Sequence, residues 1–449
     1  MSKLIDYLES IDLLSLENLY YYIEKCDIAT VNSLVIYIRQ LIDEDYRISE
    51  YTPFIFVPNG DIAGTGGCKE ISCRMRRAIK FAGFSALYAD KVYIQLEFIT
   101  HEHYELVDIE EIERDEEQCH RYKEYVLDDI AIILVYAELI RSKVVYITPS
   151  HRMLCQKCFQ KEVFGKNIID VDAIKKEYLL KAQVILKEYD HKNRMAMINI
   201  DNIDEFFPDH SLFWTVTSEK DLEILRKESV GKEIQDKVFT EKFVNMFISD
   251  EILDAMYTTK YCNEQNAKLI TNKNSDAMFL ALNRKNQKLE DIKEYTSILP
   301  EYDLPIVKNI SLKDIIKLRQ EEAKSFNKYR IAINKAVIEQ NKTTNKADWK
   351  KIYDDLVYPE LNNLDMKMKQ IRSGRLNRFF GTMLVVGTAL VASKYGDMIK
   401  PDLFSSAQAL GTSVGAAGIN FILDKTSTKK CELQNNDFFF LWKLKKENN

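Results

Sequence analysis

Residues 366–430, MKMKQIRSGRLNRFFGTMLVVGTALVASKYGDMIKPDLFSSAQALGTSVGAAGINFILDKTSTKK, determine how the C-terminal half must fold. The stretch opens with a basic patch that contains no acid, Lys367, Lys369, Arg372, Arg375 and Arg378. Two uncharged segments follow, 379–393 and 403–423, and three lysines close the stretch, Lys425, Lys429 and Lys430. Seven of the fourteen glycines lie between Gly374 and Gly418. Because glycine and alanine let two helices approach closely, the pattern predicts a helical hairpin.

Three interpretations of this hairpin are open. Basic residues on both sides are typical of a two-pass membrane hairpin whose ends face the cytoplasm. The first segment has 15 residues, roughly 22 Å as a helix, and a bilayer core needs roughly 20 residues. The second has 21 residues but carries six polar side chains, Ser405, Ser406, Gln408, Thr412, Ser413 and Asn420. A buried helical pair is therefore the leading interpretation, ahead of a face that contacts a partner subunit or membrane surface, and of a true span.

The composition predicts an α+β protein that is predominantly helical. Of the 449 residues, 46% are hydrophobic and 29% charged, which is ordinary for a globular chain. Only 14 glycines and 8 prolines are present, which disfavours a turn-rich β fold. The length favours two or three domains. We predict a mixed α/β domain over 1–165, an α/β or helical middle region over 166–303, and a helical domain over 304–449, so that the N-terminal half is mixed and the C-terminal half all-helical with helical hairpins.

Hydrophobic patterns place individual elements along the chain. Runs rich in β-branched and aromatic residues predict strands at 54–57, 92–99, 144–147, 195–200 and 268–271. Helical spacing predicts a charged amphipathic helix over 170–190, two helices within 218–262 and an antiparallel helical hairpin over 312–371. The segment 130–137 is apolar on all sides and belongs in a core. The aromatic tail 437–446, DFFFLWKLKK, must be buried, because its exposure would cost several kcal/mol. Its default place is on its own chain, and the alternative is a partner.

Charge and cysteine usage predict a cytosolic protein with reduced thiols. The net charge of −6 gives no general attraction for nucleic acid, although a local basic patch can bind it. Acids and bases near the N-terminus are too closely spaced for a signal peptide. The eight cysteines are spread widely and do not form the framework of a disulfide-rich secreted domain.

A glycine-rich loop follows the first predicted strand. Gly60, Gly64, Gly66 and Gly67 precede Lys69 and a basic helix over 70–84. A glycine-rich turn that enters a helix N-terminus can hold an anion, because free backbone N–H groups point outward there. The spacing matches neither the P-loop nor the dinucleotide fingerprint. The loop is thus a weak candidate for phosphate binding through Gly64, Gly66, Gly67 and Lys69, against a purely structural loop.

Cysteines and histidines are enriched between residues 68 and 158. Two cysteines separated by two residues, Cys155 and Cys158, can present both sulfurs to one ion, and His151 lies four positions upstream. The pool from which one tetrahedral zinc site would take its ligands is Cys155, Cys158, His151, Cys68, Cys73, Cys119 and His120. The sequence contains no second Cys-x-x-Cys. A redox dithiol and unpaired thiols without a site are the alternatives.

Three acids, Asp201, Asp204 and Glu205, follow the predicted strand 195–200. Carboxylates just past a strand can bind magnesium for phosphoryl chemistry. They are also ordinary first-turn acids of a following helix. These acids are therefore weak catalytic candidates.

No complete catalytic motif is present, so the sequence favours a protein that is not an enzyme. We expect a non-catalytic cytosolic interaction or effector protein, with a bacterial defence or toxin-like role, whose helical C-terminal half self-associates, binds a protein partner or contacts a membrane. Zinc is the cofactor that this expectation includes. The alternatives are a metal-dependent enzyme acting on nucleotides or phosphodiesters, and a nucleic-acid-binding module that uses the basic patch at 367–378.

Overall fold

The computed structural model of the chain is mixed α+β and mostly helical. It describes residues 2–48, 52, 54–66, 70–96, 98–99, 109–149, 158, 161, 170–203, 211–216, 218–273, 275–276, 279–280, 296–298, 311–344, 353–364 and 436–447. The chain forms two compact units: the first takes Met1–Phe56, Gly60–Arg152 and Leu299–Asn449, and the second takes Val57–Asn59 and Met153–Ile298. The division into three domains stays a prediction.

The first unit contains three parallel strands and most of the described helices. Its elements are α1 Lys3–Ser10, α2 Leu16–Lys25, α3 Ile28–Asp45, the start of β1 Ile55–Pro58, α4 Gly60–Ala63, α5 Ile71–Tyr88, β2 Lys91–Ile94, α6 Ile109–Glu113, α7 Glu116–Arg141, β3 Val145–Ile147, α11 Leu312–Glu321, α12 Ala323–Thr344, a π-helix Tyr353–Val357 continued as helix over 358–364, and α13 Phe439–Glu447. Every element described after Ser311 is helical.

The three strands of the first unit lie in the order β3-β2-β1 and all run parallel. Phe56 pairs with Val92, and Tyr93 pairs with Tyr146. The predicted strand over 92–99 is too long, because β2 ends at Ile94. The backbone N–H groups of Phe98 and Ile99 donate to the Asp129 carboxylate instead of to a neighbouring strand.

Helices α5 and α7 supply much of the core beside this sheet. Helix α7 begins where Asp115 accepts hydrogen bonds from the backbone N–H groups of Glu117 and Gln118, which is the usual cap for an acidic first turn. The prediction that 130–137 lies in a core is confirmed, since Ile130 and Ile133 are fully buried.

The aromatic tail docks on its own chain, as the default interpretation predicts. Phe440 of α13 is fully buried and stacks on Tyr329 of α12, with the ring centroids 5.8 Å apart. Lys443 of α13 also pairs with Glu322 at 2.7 Å. Burial of so large an aromatic surface contributes several kcal/mol, so α13 is a structural part of the first unit.

The second unit contains an antiparallel sheet and one long helix. Its elements are the end of β1, α8 Val171–Lys181, β4 Gln183–Asp190, β5 Met195–Asp201, β6 Ser211–Thr215, α9 Glu219–Leu225, α10 Lys237–Glu264, β7 Lys268–Thr271 and β8 Thr296–Ile298. The sheet order is β4-β5-β6, with Val184 opposite Ile200 and Ala196 opposite Trp214. Helices α9 and α10 confirm the two helices predicted within 218–262.

The predicted helix over 170–190 is wrong in its second half. Helix α8 ends at Lys181, and β4 takes 183–190. Val184 and Leu186 are fully buried while the residues between and after them are exposed or half-buried, which is the period-two pattern of a strand. The charged residues of this stretch conceal that alternation, because they fit a helix surface as well.

Strands β7 and β8 pair in parallel, with Leu269 opposite Thr296. The end of β1 lies on the other side of β7. The N–H of Asn59, the residue after β1, donates to the carbonyl of Ile270 at 2.9 Å. The carboxyl ends of β1 and β7 therefore meet within the second unit.

Candidate functional site

The glycine-rich loop of the first unit is held against α5 by its own carbonyl groups. Gly64 has a φ of +70°, and a Cβ there would lie 2.2 Å from the carbonyl oxygen of Arg74. Glycine is therefore required here for both conformation and space. The N–H groups of Thr65 and Gly66 both donate to the Gly60 carbonyl, so they serve the loop itself.

Arg74 fixes this loop from α5. Its guanidinium donates to the Gly64 carbonyl at 3.1 Å and to the Asp129 carboxylate at 3.0 Å. Asp128 lies 3.6 Å from the same guanidinium, and burial raises the pKa of Asp128 to about 7 although Arg74 lowers it. The described part of the loop thus has a structural explanation. Gly67 and Lys69 lie outside the described residues, and phosphate binding stays a prediction.

The predicted zinc ligands are only partly described. Cys73 of α5 is half-buried, and its sulfur accepts a hydrogen bond from Arg77 at 3.1 Å. Cys119 of α7 is half-buried, and the neighbouring His120 is exposed and pairs with Glu124. Cys158 is exposed. The others, Cys155, His151 and Cys68, lie outside the described residues. Among the residues that the structure describes, no group of three His, Cys, Asp or Glu could hold a metal ion.

Of the three acids predicted to bind magnesium, the structure describes only Asp201. Asp201 is the last residue of β5, where it is half-buried and stands opposite Gln183 in the antiparallel sheet. Asp204 and Glu205 lie outside the described residues. Magnesium binding by the three acids stays a prediction.

A buried polar cluster lies where the carboxyl ends of β1 and β7 meet. The Asn59 amide donates to the Thr271 hydroxyl at 3.0 Å, to the Asn272 side-chain oxygen at 2.9 Å and to Asp276 Oδ2 at 2.9 Å. The Thr271 hydroxyl also hydrogen-bonds to Asp276 Oδ2. Asn59 and Thr271 are fully buried, and Asp276 is 1% exposed. Two neutral donors thus fix one carboxylate oxygen inside the unit.

Charged side chains extend this cluster towards α10. Lys273 pairs with Glu251 at 2.5 Å, and both are largely buried. Asp254, one turn further along α10, is half-buried, and burial raises its pKa to about 7, while Lys273 lowers it and the carboxylates of Asp276 and Glu251 raise it. Burial lowers the pKa of Lys273, but the three carboxylates raise it above its ordinary value. Buried carboxyl groups with a raised pKa occur at functional sites and in structural ion-pair networks.

Sequence reasoning missed this cluster, although it found the strands that carry it. Asn59 follows the predicted strand 54–57 closely, and Asp276 follows the predicted strand 268–271. Polar residues just past the carboxyl ends of parallel strands are the available signal. The adjacency of β1 and β7, which are more than 200 residues apart, is not visible in the sequence.

The residues on either side of the stretch 365–435 are described in the C-terminal part of the first unit. Asn436 Nδ2 donates to Glu360 Oε2 at 2.9 Å, so the residues on either side of 365–435 are in direct contact. The two uncharged segments and their basic flanks lie outside the described residues. Among the helices that the structure does describe, none has both the length and the apolar composition that crossing a membrane requires.

Comparison of the chain with protein-family models, with curated proteins and with solved structures gives no match.

Proposed function

We propose that this protein is a non-catalytic interaction or effector protein of the cytosol, whose helical C-terminal half self-associates or contacts a membrane surface. The observation that supports the proposal is the hydrogen bond between Asn436 and Glu360. It brings a residue that precedes 365–435 into contact with the residue that follows this stretch.

Basic side chains lie near both ends of the stretch 365–435 in the sequence. The basic flank at 367–378 lies near its start, and Lys425, Lys429 and Lys430 lie near its end. Eight basic side chains thus precede and follow the two uncharged segments in the sequence. Each lysine or arginine near an anionic membrane surface contributes about 1 kcal/mol to binding.

The proposal includes an all-helical C-terminal half with helical hairpins, which the helical character of every element described after Ser311 supports. A bacterial defence or toxin-like role also belongs to it. A stretch whose flanking residues are in contact with each other can engage a partner or a lipid surface without breaking that contact.

The test replaces 365–435 by a flexible linker. Because Glu360 and Asn436 are in contact, a Gly-Ser linker of about 8 residues, with an end-to-end distance of about 16 Å, should rejoin the chain. The molar mass of both proteins in solution is measured by light scattering, and their recovery with vesicles by flotation. We expect the full chain to self-associate or to float with anionic vesicles, and the shortened chain to do neither.

A charge variant separates the two modes of contact. The triple substitution Lys425→Glu, Lys429→Glu and Lys430→Glu should lower recovery with anionic vesicles and leave recovery with zwitterionic vesicles unchanged. Self-association through the uncharged segments should persist in this variant. If the shortened and full chains have the same mass and the same vesicle recovery, and the shortened chain remains folded by circular dichroism, the proposed function is wrong.

A further inference from the structure

Two buried polar atoms on the first turn after β7 have no hydrogen-bond partner within the described part of the chain. They are Asp276 Oδ1 and Ser275 Oγ, on residues that are 1% and 0% exposed. The other oxygen of the same carboxylate accepts hydrogen bonds from Asn59 and Thr271. A buried carboxylate oxygen without a donor is costly, since most buried polar atoms in folded proteins have a partner.

The charges around these atoms do not balance. The described side chains of the cluster include three acids, Glu251, Asp254 and Asp276, and one base, Lys273. Lys273 pairs directly with Glu251, so the described side chains of the cluster supply one base for three acids. An uncompensated buried charge costs several kcal/mol, and the cluster must therefore take up protons or a cation.

We propose that this cluster binds one divalent cation of the Mg²⁺ type, with Asp276 Oδ1 and Ser275 Oγ as protein ligands and with Asp254 supplying the second balancing charge. Mg²⁺ is bound through oxygen, usually by one or two carboxylates together with several waters. Hydroxyl oxygens of serine and threonine are also Mg²⁺ ligands in phosphate-binding sites. A carboxylate whose second oxygen is already fixed by Asn59 and Thr271 presents its free oxygen in a single direction.

The location supports the same proposal independently of the charges. The cluster lies just beyond the carboxyl ends of two adjacent strands, and ligands of open parallel sheets bind at such ends. Neither the contact function proposed for the C-terminal half nor the predicted zinc ligands involve these residues. The two proposals can therefore fail separately.

The test measures binding of Mn²⁺ alone, used as a paramagnetic probe for a Mg²⁺ site, to the full chain after treatment with a chelator. Free Mn²⁺ is counted by electron paramagnetic resonance. We expect the wild-type chain to bind one Mn²⁺ that Mg²⁺ displaces, and to melt at a higher temperature as Mg²⁺ is added, because a ligand that binds only the folded state stabilises it. Asp276→Asn should abolish this binding.

Matched variants decide whether the binding belongs to this cluster. Asp172→Asn removes one acid from the exposed face of α8 in the same unit and should bind Mn²⁺ as the wild type does. Thr271→Val removes a donor to Asp276 without removing a ligand and should weaken binding by about 10- to 100-fold. Ser275→Ala removes a ligand without changing the charge, and it replaces Asp276→Asn as the decisive variant if that chain does not fold.

Two outcomes would overturn the proposal. One is the absence of a saturable site in the wild-type chain. The other is Mn²⁺ binding that is the same in the wild type and in both Asp276→Asn and Ser275→Ala. In either case the cluster is a structural network that balances its charge with protons.

Discussion

In the first unit, Asp129 is fully buried, and both of its carboxylate oxygens accept hydrogen bonds, one from the guanidinium of Arg74 and the other from the backbone N–H groups of Phe98 and Ile99. In the second unit, Asp276 is buried to the same degree, yet one of its oxygens has no donor within the described residues. Both acids lie near the ends of parallel strands. They differ in whether both carboxylate oxygens have a hydrogen-bond donor among the described residues.

This difference separates a structural network from a candidate site. The Asp129 network joins α5, α7, the glycine-rich loop and the chain after β2, and it stabilises the fold without an additional ligand. The Asp276 cluster has more acids than bases among its described side chains and two buried oxygens without a partner there, and the proposed cation would complete it. Burial alone does not distinguish the two, whereas the count of donors for each oxygen does.

The largest expected effect tests the structural network. Arg74→Ala should lower the free energy of unfolding by about 3–5 kcal/mol, because it leaves the buried Asp129 without its cation. It also removes the donor to the Gly64 carbonyl. Arg76→Ala, an exposed arginine of the same helix, is the matched control and should change stability by less than about 0.5 kcal/mol. Urea unfolding followed by circular dichroism measures both, and equal effects of the two variants would contradict the role of Arg74.

A smaller effect tests the loop that this network holds. Gly64→Ala should destabilise the protein by about 2–4 kcal/mol, since the new methyl group meets the carbonyl of Arg74 and the backbone must also keep a positive φ. Gly231 has a φ of +82° and nothing within 4 Å of a Cβ placed there, so Gly231→Ala should cost only about 1 kcal/mol. The pair separates conformational strain from steric overlap. Similar losses in the two urea titrations would show that the close approach at Gly64 is unimportant.

The smallest effect concerns one acid from each network, Asp128 in the first unit and Asp254 in the second. Burial raises the pKa of Asp128 and of Asp254 to about 7 each, with Arg74 and Lys273 respectively lowering it. In the unfolded chain these groups ionise near pH 4. Between about pH 4 and pH 7 the folded protein therefore holds more protons than the unfolded chain, and the free energy of unfolding falls as pH rises through this window.

We expect that fall to be on the order of 1–2 kcal/mol for each acid after solvent screening. Asp128→Asn and Asp254→Asn should each reduce it, and Asp6→Asn, an exposed acid of α1, should not. Urea titrations at about pH 5 and about pH 8, with a chelator present to exclude cation binding, measure the difference. A wild-type protein that becomes more stable over this interval would contradict the assignment.

The sequence predicted most of the described strands because each carries its own signal. The strand predicted at 268–271 has both ends correct, and the strand predicted at 54–57 lies one residue further along, at Ile55–Pro58. Residues 183–190 were misassigned because a strand with one solvated face and many charges has a composition that also fits a helix. The strand 92–99 was placed too long, because Asp129, distant in sequence, takes the N–H groups of Phe98 and Ile99.

The candidate sites show the same limit. The glycine loop was found by composition, yet the reason for Gly64 is its contact with α5, which composition does not reveal. The cluster around Asp276 was not found, because Asn59 and Asp276 are 217 positions apart. The zinc ligands and the acids after β5 stay predictions.

By itself the sequence determined the helical and strand-forming character of most segments, the burial of the aromatic tail and the unusual composition of 366–430. These properties depend on neighbouring residues and on the transfer of apolar surface from water, which a local pattern expresses. Only the tertiary structure decided which buried polar groups have hydrogen-bond partners and which residues on either side of 365–435 are in contact. Hydrogen bonds and charge balance inside a protein depend on groups that chain folding brings together from distant positions, and no local pattern records them.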